Sequence, residues 1–195
     1  MLKRIENYID RLTEHLDKES DSPDKKTDDV GRMISKYAAI CAVTAMLPGY
    51  LIPGSDFVAL TMIQCVMARN IAKHHGVNPS FDEIKELLTN IGMTLGLAFA
   101  AQQAVLSAYR TVVPYWGGVT TFGMVFSATY AVGFIIDRIY RAKENGEDLC
   151  PESLKSVVGD LKEEGKKLAK DYNPKKMYEA AKAAWDESKD DDKAA

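Results

Sequence analysis

The side chains that could do chemistry in this sequence are few and widely spaced. His74 and His75 are adjacent, and neighbouring residues of a helix point about 100° apart, so the pair does not hold one metal ion from a single helix face. A cationic helix C-terminus accounts for them instead. Gly117-Gly118 lacks the lysine of a phosphate-binding loop. We therefore predict no catalytic, cofactor-binding or metal-binding residue, and a protein that is not an enzyme.

Length and charge narrow the class of protein further. A chain of 195 residues is long enough for one well-buried core. Its net charge of -3 argues against nucleic acid as a partner. The three cysteines, Cys41, Cys65 and Cys150, are an odd number without close spacing, which favours free thiols in a reducing compartment.

The charges are distributed very unevenly. Between residues 37 and 136, a stretch of 100 residues, eight are charged. These eight are Asp56, Arg69, Lys73, Asp82, Glu83, Lys85, Glu86 and Arg110. The chain therefore has a nearly neutral centre between two highly charged arms. We divide it into three parts: an amphipathic helix with a linker (residues 1–26), a helical core domain (27–146) and a charged helical extension with a tail (147–195).

Hydrophobic periodicity and stop signals predict an all-α fold. Ser80-Phe81-Asp82-Glu83 has the pattern of a capping box and starts a long fourth helix. Gly76 and Asn145-Gly146 are expected to end helices. The predicted helices cover about 2–18, 27–47, 57–75, 80–110 and 118–142, followed by amphipathic helices after Pro151 and after Asn173-Pro174.

The two arms carry narrow apolar stripes that leave two interpretations open. In the first arm the stripe consists of Leu2, Ile5, Ile9, Leu12 and Leu16, and in the last helix of Met177, Tyr178, Ala181 and Trp185. Such stripes either contact a partner or a membrane surface, or pack against the protein's own core. The sequence favours neither interpretation.

Small residues recur every fourth position on the two uncharged helices. Rows at this spacing form ridges along a helix, and small side chains there allow a second backbone to approach closely. The fourth and fifth helices are therefore predicted to form a tightly packed central antiparallel hairpin. The packing residues are Gly92, Gly96, Ala100, Ala104 and Ala108 on the fourth helix, and Gly123, Ser127 and Ala131 on the fifth.

The hairpin is long and apolar enough to enter a bilayer. Its uncharged runs, residues 87–109 and 111–136, comprise 23 and 26 residues, and about 20 apolar residues span the hydrocarbon layer. Aromatic side chains suited to the interface gather at its turn. Gln102 and Gln103 argue for a soluble core instead, because unpaired amides are costly in lipid. The interfacial residues would be Tyr109, Arg110, Tyr115 and Trp116.

Two motifs within residues 35–145 resemble a bacterial family of helical domains of unknown function, the YcjF-like family, which occurs alone or behind GTPase domains. One is a proline-rich turn followed by an aspartate and a Leu-Thr-x-x-Gln helix; the other is an Ala-Thr-Tyr-Ala-x-Gly helix. The positions that match the two motifs include Pro53, Gly54, Asp56, Thr61, Gln64, Tyr130 and Gly133. The resemblance implies an all-helical module of undetermined activity associated with membranes or GTPases, and it gives no catalytic residues to carry over.

These observations lead to two functional hypotheses. The first is a non-enzymatic, membrane-associated helical module, otherwise cytoplasmic, that acts with a separate GTPase. The second is a soluble self-assembling or adaptor protein that binds protein partners through its amphipathic arms. A membrane, a protein partner such as a GTPase, and a second copy of the chain are thus the candidate partners.

Overall fold

The computed structural model describes residues 2–19, 28–47, 59–94, 117–147, 149 and 151–191. Within these residues it contains seven α-helices and no strand, which confirms the predicted all-α bundle. The helices are α1 (Leu2–Glu19), α2 (Asp29–Thr44), α3 (Leu60–His74), α4 (Phe81–Thr94), α5 (Gly117–Asn145), α6 (Pro151–Leu168) and α7 (Pro174–Asp191). A short 3-10 turn, Ala169–Asp171, joins α6 to α7.

Local sequence signals define several of the helix ends. The capping box at the start of α4 is present: the Glu83 amide donates to Ser80 Oγ at 3.3 Å, and the Ser80 amide donates to Glu83 Oε2 at 2.7 Å. Gly76 and Gly146 follow α3 and α5 with positive φ angles of 72° and 69°, a conformation that favours glycine. The predicted helix stops at these two glycines are therefore confirmed.

The central helix of the bundle is α5, and α2 runs antiparallel to it. Arg141, near the end of α5, lies 3.7 Å from Asp28 at the start of α2. Further along, a Cβ atom added to Gly133 would lie 2.6 Å from the Ile34 side chain. The absence of a side chain at Gly133 thus lets Ile34 pack directly against the α5 backbone.

Helix α3 lies beside α5 in the parallel direction. Gln64 in its first half is next to Thr129, and His75 at its end contacts Asp137 and Glu144. After the turn at 75–80, α4 begins close to the end of α5, since Glu83 interacts electrostatically with Lys143 and Tyr140. It is also in contact with α3.

Helix α6 covers another side of α5 and is antiparallel to it. Tyr130 donates a hydrogen bond to Glu164 at 3.0 Å. Next to this bond, a Cβ atom on Gly165 would lie 2.8 Å from the Cα atom of Ser127. Because the obstacle is backbone, α5 and α6 approach this closely only with glycine at position 165.

The two arms of the chain pack against each other and against the core. Tyr8 and Trp185 meet edge to face with ring centroids 5.7 Å apart, and the Tyr8 hydroxyl lies 3.0 Å from Thr44 Oγ1. The stripe residues Ile5, Ile9, Leu12, Met177 and Trp185 are all buried. The interpretation in which these stripes pack on the protein's own core is therefore the one seen, and residues 151–191 fold back onto the domain.

Candidate functional site

The helix directions bring three described chain ends together at one end of the bundle. Because α2 is antiparallel to α5 while α3 is parallel to it, Leu47, shortly after α2, and Ala59, just before α3, lie near the start of α5. Helix α4 contacts α3 and is described as far as Thr94. We call this the Leu47–Gly117 end, after the last described residue beyond α2 and the first described residue of α5.

Two segments outside the described residues connect at this end. Residues 48–58 join α2 to α3 and contain one charged residue, Asp56. Residues 95–116 join α4 to α5 and likewise contain one, Arg110. Two nearly uncharged stretches of sequence therefore adjoin the described bundle at this end, which a hydropathy plot of the sequence does not reveal.

The opposite end carries a partly buried cluster of charges around His75. The His75 ring lies between two carboxylates: Nε2 is 2.8 Å from Asp137 Oδ1, and Nδ1 is 3.0 Å from Glu144 Oε2. Asp137 also accepts from Arg141 at 3.1 Å. The side chains of His75 and Asp137 are only 7% and 6% exposed, whereas those of Arg141 and Glu144 reach solvent.

The electrostatics of this cluster favour the imidazolium form of His75. Burial alone lowers the pKa of a histidine, but the hydrogen bonds to Asp137 and Glu144, and the attraction of both carboxylates, raise the pKa of His75 overall. The ring also stacks on Tyr140 with an interplanar angle of 16°. A doubly paired, stacked imidazolium joins the end of α3 to the last turns of α5.

This cluster adds specific partners for His75 to the interpretation of His74-His75 as a cationic helix end. His74 is exposed, whereas His75 is held by acceptors from another helix. A sequence signal was available: Asp137, Tyr140, Arg141 and Glu144 recur at three- and four-residue steps, directly after the uncharged run. Both ring nitrogens point at carboxylates, so in this arrangement the cluster positions helices and has no free ring nitrogen to act as a base.

A smaller polar layer lies in the middle of the core. Gln64 Nε2 is 3.5 Å from Thr129 Oγ1, and the Cys41 thiol is also hydrogen-bonded to Thr129. Helices α2, α3 and α5 thus meet at one threonine. Burial raises the pKa of Cys41 to about 12 and that of Cys65 to about 11, so neither thiol is an effective nucleophile near neutral pH.

The predicted packing residues divide between described and undescribed parts of the chain. Gly96, Ala100, Ala104 and Ala108 lie outside the described residues, so the α4–α5 hairpin stays a prediction. On the described part, Ser127 contacts Gly165 of α6. Cβ atoms added at Gly92 and Gly123 would meet nothing within 4 Å in the described part, and Ala131 is buried.

The positions that carry the family resemblance divide in the same way. Pro53, Gly54 and Asp56 lie outside the described residues, as do the interfacial Tyr109, Arg110, Tyr115 and Trp116. The remaining positions have packing or hydrogen-bonding roles: Gln64 reaches Thr129, Tyr130 donates to Glu164, and Gly133 admits Ile34. Thr61 is half-buried near the start of α3.

One helix of the described part, Thr121–Asn145 within α5, is long and apolar enough to cross a membrane. Length and apolarity alone do not distinguish such a span from the core helix of a soluble protein. Of its most apolar 18 residues, 72% are buried by the other helices, and the stretch contains the paired Asp137. In this fold α5 is therefore the core helix of the bundle.

Comparison with known proteins gives no relative. No family model matches the chain, and neither a curated protein nor a solved structure is significantly similar to it. The resemblance to the YcjF-like family therefore stays a prediction.

Proposed function

We propose that this chain is a non-enzymatic helical module that associates with a membrane through the Leu47–Gly117 end of its bundle. One observation carries the proposal: the nearly uncharged segments 48–58 and 95–116 both connect at this end. The ion-pair cluster of His75 lies at the opposite end. A bundle whose nearly uncharged segments adjoin one end suits the boundary between water and lipid.

The burial of α5 favours attachment by these segments over insertion of the bundle itself. A helix in lipid exposes apolar side chains, whereas α5 is mostly covered by α2, α3 and α6. Among the described residues the single large hydrophobic side chain that is exposed is Val77. The side chains that the structure describes thus offer no large apolar face to lipid, and the contact is assigned to the two segments.

Fractionation tests the proposal directly. Purified chain is mixed with phospholipid vesicles and floated on a density gradient, and a membrane fraction is washed with carbonate. The protein is expected to float with the vesicles. Recovery only at the bottom of the gradient, together with complete release by carbonate, would contradict membrane association.

A pair of variants locates the contact. Trp116→Glu places a charge in segment 95–116 and is expected to reduce flotation strongly, because a charged side chain in the apolar layer costs about 3 kcal/mol. Val77→Glu is the matched control: it introduces the same charge beside the His75 end, at a side chain that is already exposed. The control is expected to float like the unaltered chain, and equal loss in both variants would refute the assignment.

Fluorescence gives an independent measure of the same contact. The chain has two tryptophans, and Trp185 is buried against Tyr8. In a Trp185→Phe background, which keeps an aromatic ring against Tyr8, Trp116 is the remaining emitter. Its emission is expected to shift to the blue and to be quenched by brominated lipid when vesicles are added. Unchanged emission would place Trp116 in water and oppose the proposal.

The soluble adaptor hypothesis has less geometric support. Its motivation was the apolar stripes of the arms, and the described positions of those stripes are buried within the bundle apart from Tyr178, which is half-buried. Light scattering in the absence of detergent and vesicles distinguishes the two: a monodisperse oligomer that ignores vesicles would favour the adaptor. A separate GTPase partner rests on the family resemblance alone and stays a prediction, as does a cytoplasmic location of the charged helices.

A further inference from the structure

A group of exposed lysines surrounds the 3-10 turn between α6 and α7. We call it the lysine turn; its members are Lys166, Lys167, Lys170, Lys175 and Lys176, all exposed. Between residues 166 and 176 the single acidic residue is Asp171, so five positive charges against one negative charge leave a local charge of +4. The whole chain has a net charge of -3, so this turn stands out from an acidic background.

The packing of Tyr172 places the lysine turn beside the Leu47–Gly117 end. Its ring lies 6.3 Å from that of Phe122 and 5.1 Å from that of Phe126. Phe122 is the sixth residue of α5, about 8 Å along the helix from Gly117. The lysines that flank Tyr172 in sequence are therefore close to the point at which segment 95–116 enters α5.

Neighbouring groups neutralise the lysine turn only in part. Lys166 is paired with Glu163 at 2.6 Å. Hydrogen bonding to Lys166, and the attraction of Lys166, Lys167 and Lys170, lower the pKa of Glu163, so this one carboxylate faces several of the lysines. Glu164 is directed to Tyr130. Lys167, Lys170, Lys175 and Lys176 have no ion pair within the described residues.

We propose that the lysine turn binds the headgroups of anionic phospholipids at the membrane surface that the Leu47–Gly117 end contacts. This inference rests on the proposed membrane association and names its lipid class. Charge complementarity selects the ligand: a +4 cluster at an apolar attachment point matches an anionic interface. Charges elsewhere on the acidic chain are screened over about 10 Å at moderate salt, so the local cluster determines the attraction.

Vesicle binding with matched charge variants tests the inference. Binding is measured to vesicles of phosphatidylcholine alone and of phosphatidylcholine mixed with phosphatidylglycerol. The test variant is K167Q/K170Q/K175Q/K176Q. The control, R69Q/K73Q/K85Q/K143Q, changes the net charge by the same amount through exposed residues away from the lysine turn. Circular dichroism verifies that both variants keep the helical content of the unaltered chain.

The unaltered chain and the control are expected to prefer the anionic vesicles, and added salt is expected to weaken that preference. Each lysine close to an anionic surface contributes roughly fivefold to binding, so the test variant, which lacks four of them, should lose a preference of roughly several hundredfold. It should still bind phosphatidylcholine vesicles through the uncharged segments. Inorganic phosphate should not compete, because a free anion lacks the adjoining apolar layer.

The contrary outcomes separate the two proposals. Equal binding of the unaltered chain to both vesicle types, or equal loss in test and control variants, would overturn the lipid assignment and leave membrane association intact. Binding to neither vesicle type would overturn membrane association and the inference with it. Tight binding of RNA that the test variant loses, with vesicle binding unchanged, would instead identify the lysine turn as a nucleic-acid surface.

Discussion

The substitution Asp137→Asn examines whether the His75 cluster holds the bundle together. Asparagine keeps the size of the side chain but removes the negative charge that faces His75 Nε2 and Arg141. With that charge gone, the buried imidazolium retains one carboxylate partner, Glu144, which is partly exposed. The variant is expected to unfold more easily, because the buried His75 cation then interacts with one carboxylate where it had two.

The magnitude follows from the burial of the pair. Removing one partner of a fully buried ion pair costs about 3–5 kcal/mol. Here Glu144 stays in place at 3.0 Å from Nδ1, so a loss of about 2–3 kcal/mol is expected for Asp137→Asn. For a chain of this length, 1 kcal/mol lowers the melting temperature by about 2–4 °C, which gives a decrease of roughly 4–12 °C.

The effect should also depend on pH in a defined direction. The pKa of His75 is raised above its ordinary value of 6.5, so its contribution to stability is complete below that value and declines as the pH rises through the folded-state pKa. The difference in melting temperature between the unaltered chain and Asp137→Asn should therefore shrink as the pH rises above 6.5 through the folded-state pKa of His75. The contact between Asp137 and Arg141 preserves part of the difference at high pH.

Thermal unfolding followed by circular dichroism is the assay, with Asp160→Asn as control. Asp160 is exposed on α6, and such surface substitutions change stability by about 0.5 kcal/mol or less. If Asp137→Asn melts at the same temperature as Asp160→Asn, the cluster does not stabilise the fold. A difference that grows with pH would refute the assigned charge state of His75.

Two further predictions concern packing, and both are read as melting temperatures. Gly165→Ala should destabilise by about 1–3 kcal/mol, because its Cβ atom would meet the Ser127 backbone; Gly159→Ala on the same helix meets nothing within 4 Å and should stabilise by up to about 1 kcal/mol. Equal effects would mean that α5 and α6 are further apart than described. Tyr8→Phe should cost about 0.5–1.5 kcal/mol through its lost bond to Thr44, and no loss would show that the bond is not formed.

The all-α class and many helix boundaries could be predicted from the sequence because their causes are local. A capping box such as Ser80–Glu83 is satisfied within four residues. A glycine such as Gly76 ends a helix because of its own backbone freedom. Pro174 starts α7 with Asn173 as its cap, whose side chain accepts from the next two amides. None of these signals requires a distant part of the chain.

The partners of each helix face could not be predicted in the same way. A ridge of small residues indicates that another helix packs closely against it. The sequence around Ser127 does not show whether that helix is α4 or α6. The described structure places Gly165 against it. The apolar stripe of α1 was likewise compatible with a membrane, a partner or the protein's own core. The contact between Trp185 and Tyr8 shows that α1 packs against α7.

The sequence by itself determined the helices, their ends and the uneven distribution of charge, since these depend on neighbours a few residues apart. Only the tertiary structure decided that His75 meets Asp137, 62 positions later in the chain, and that the two uncharged segments connect at one end. Both results depend on the directions in which helices pack, and these are selected by the total apolar burial of the bundle. A pattern within a few residues carries no information about the total apolar area that the bundle buries.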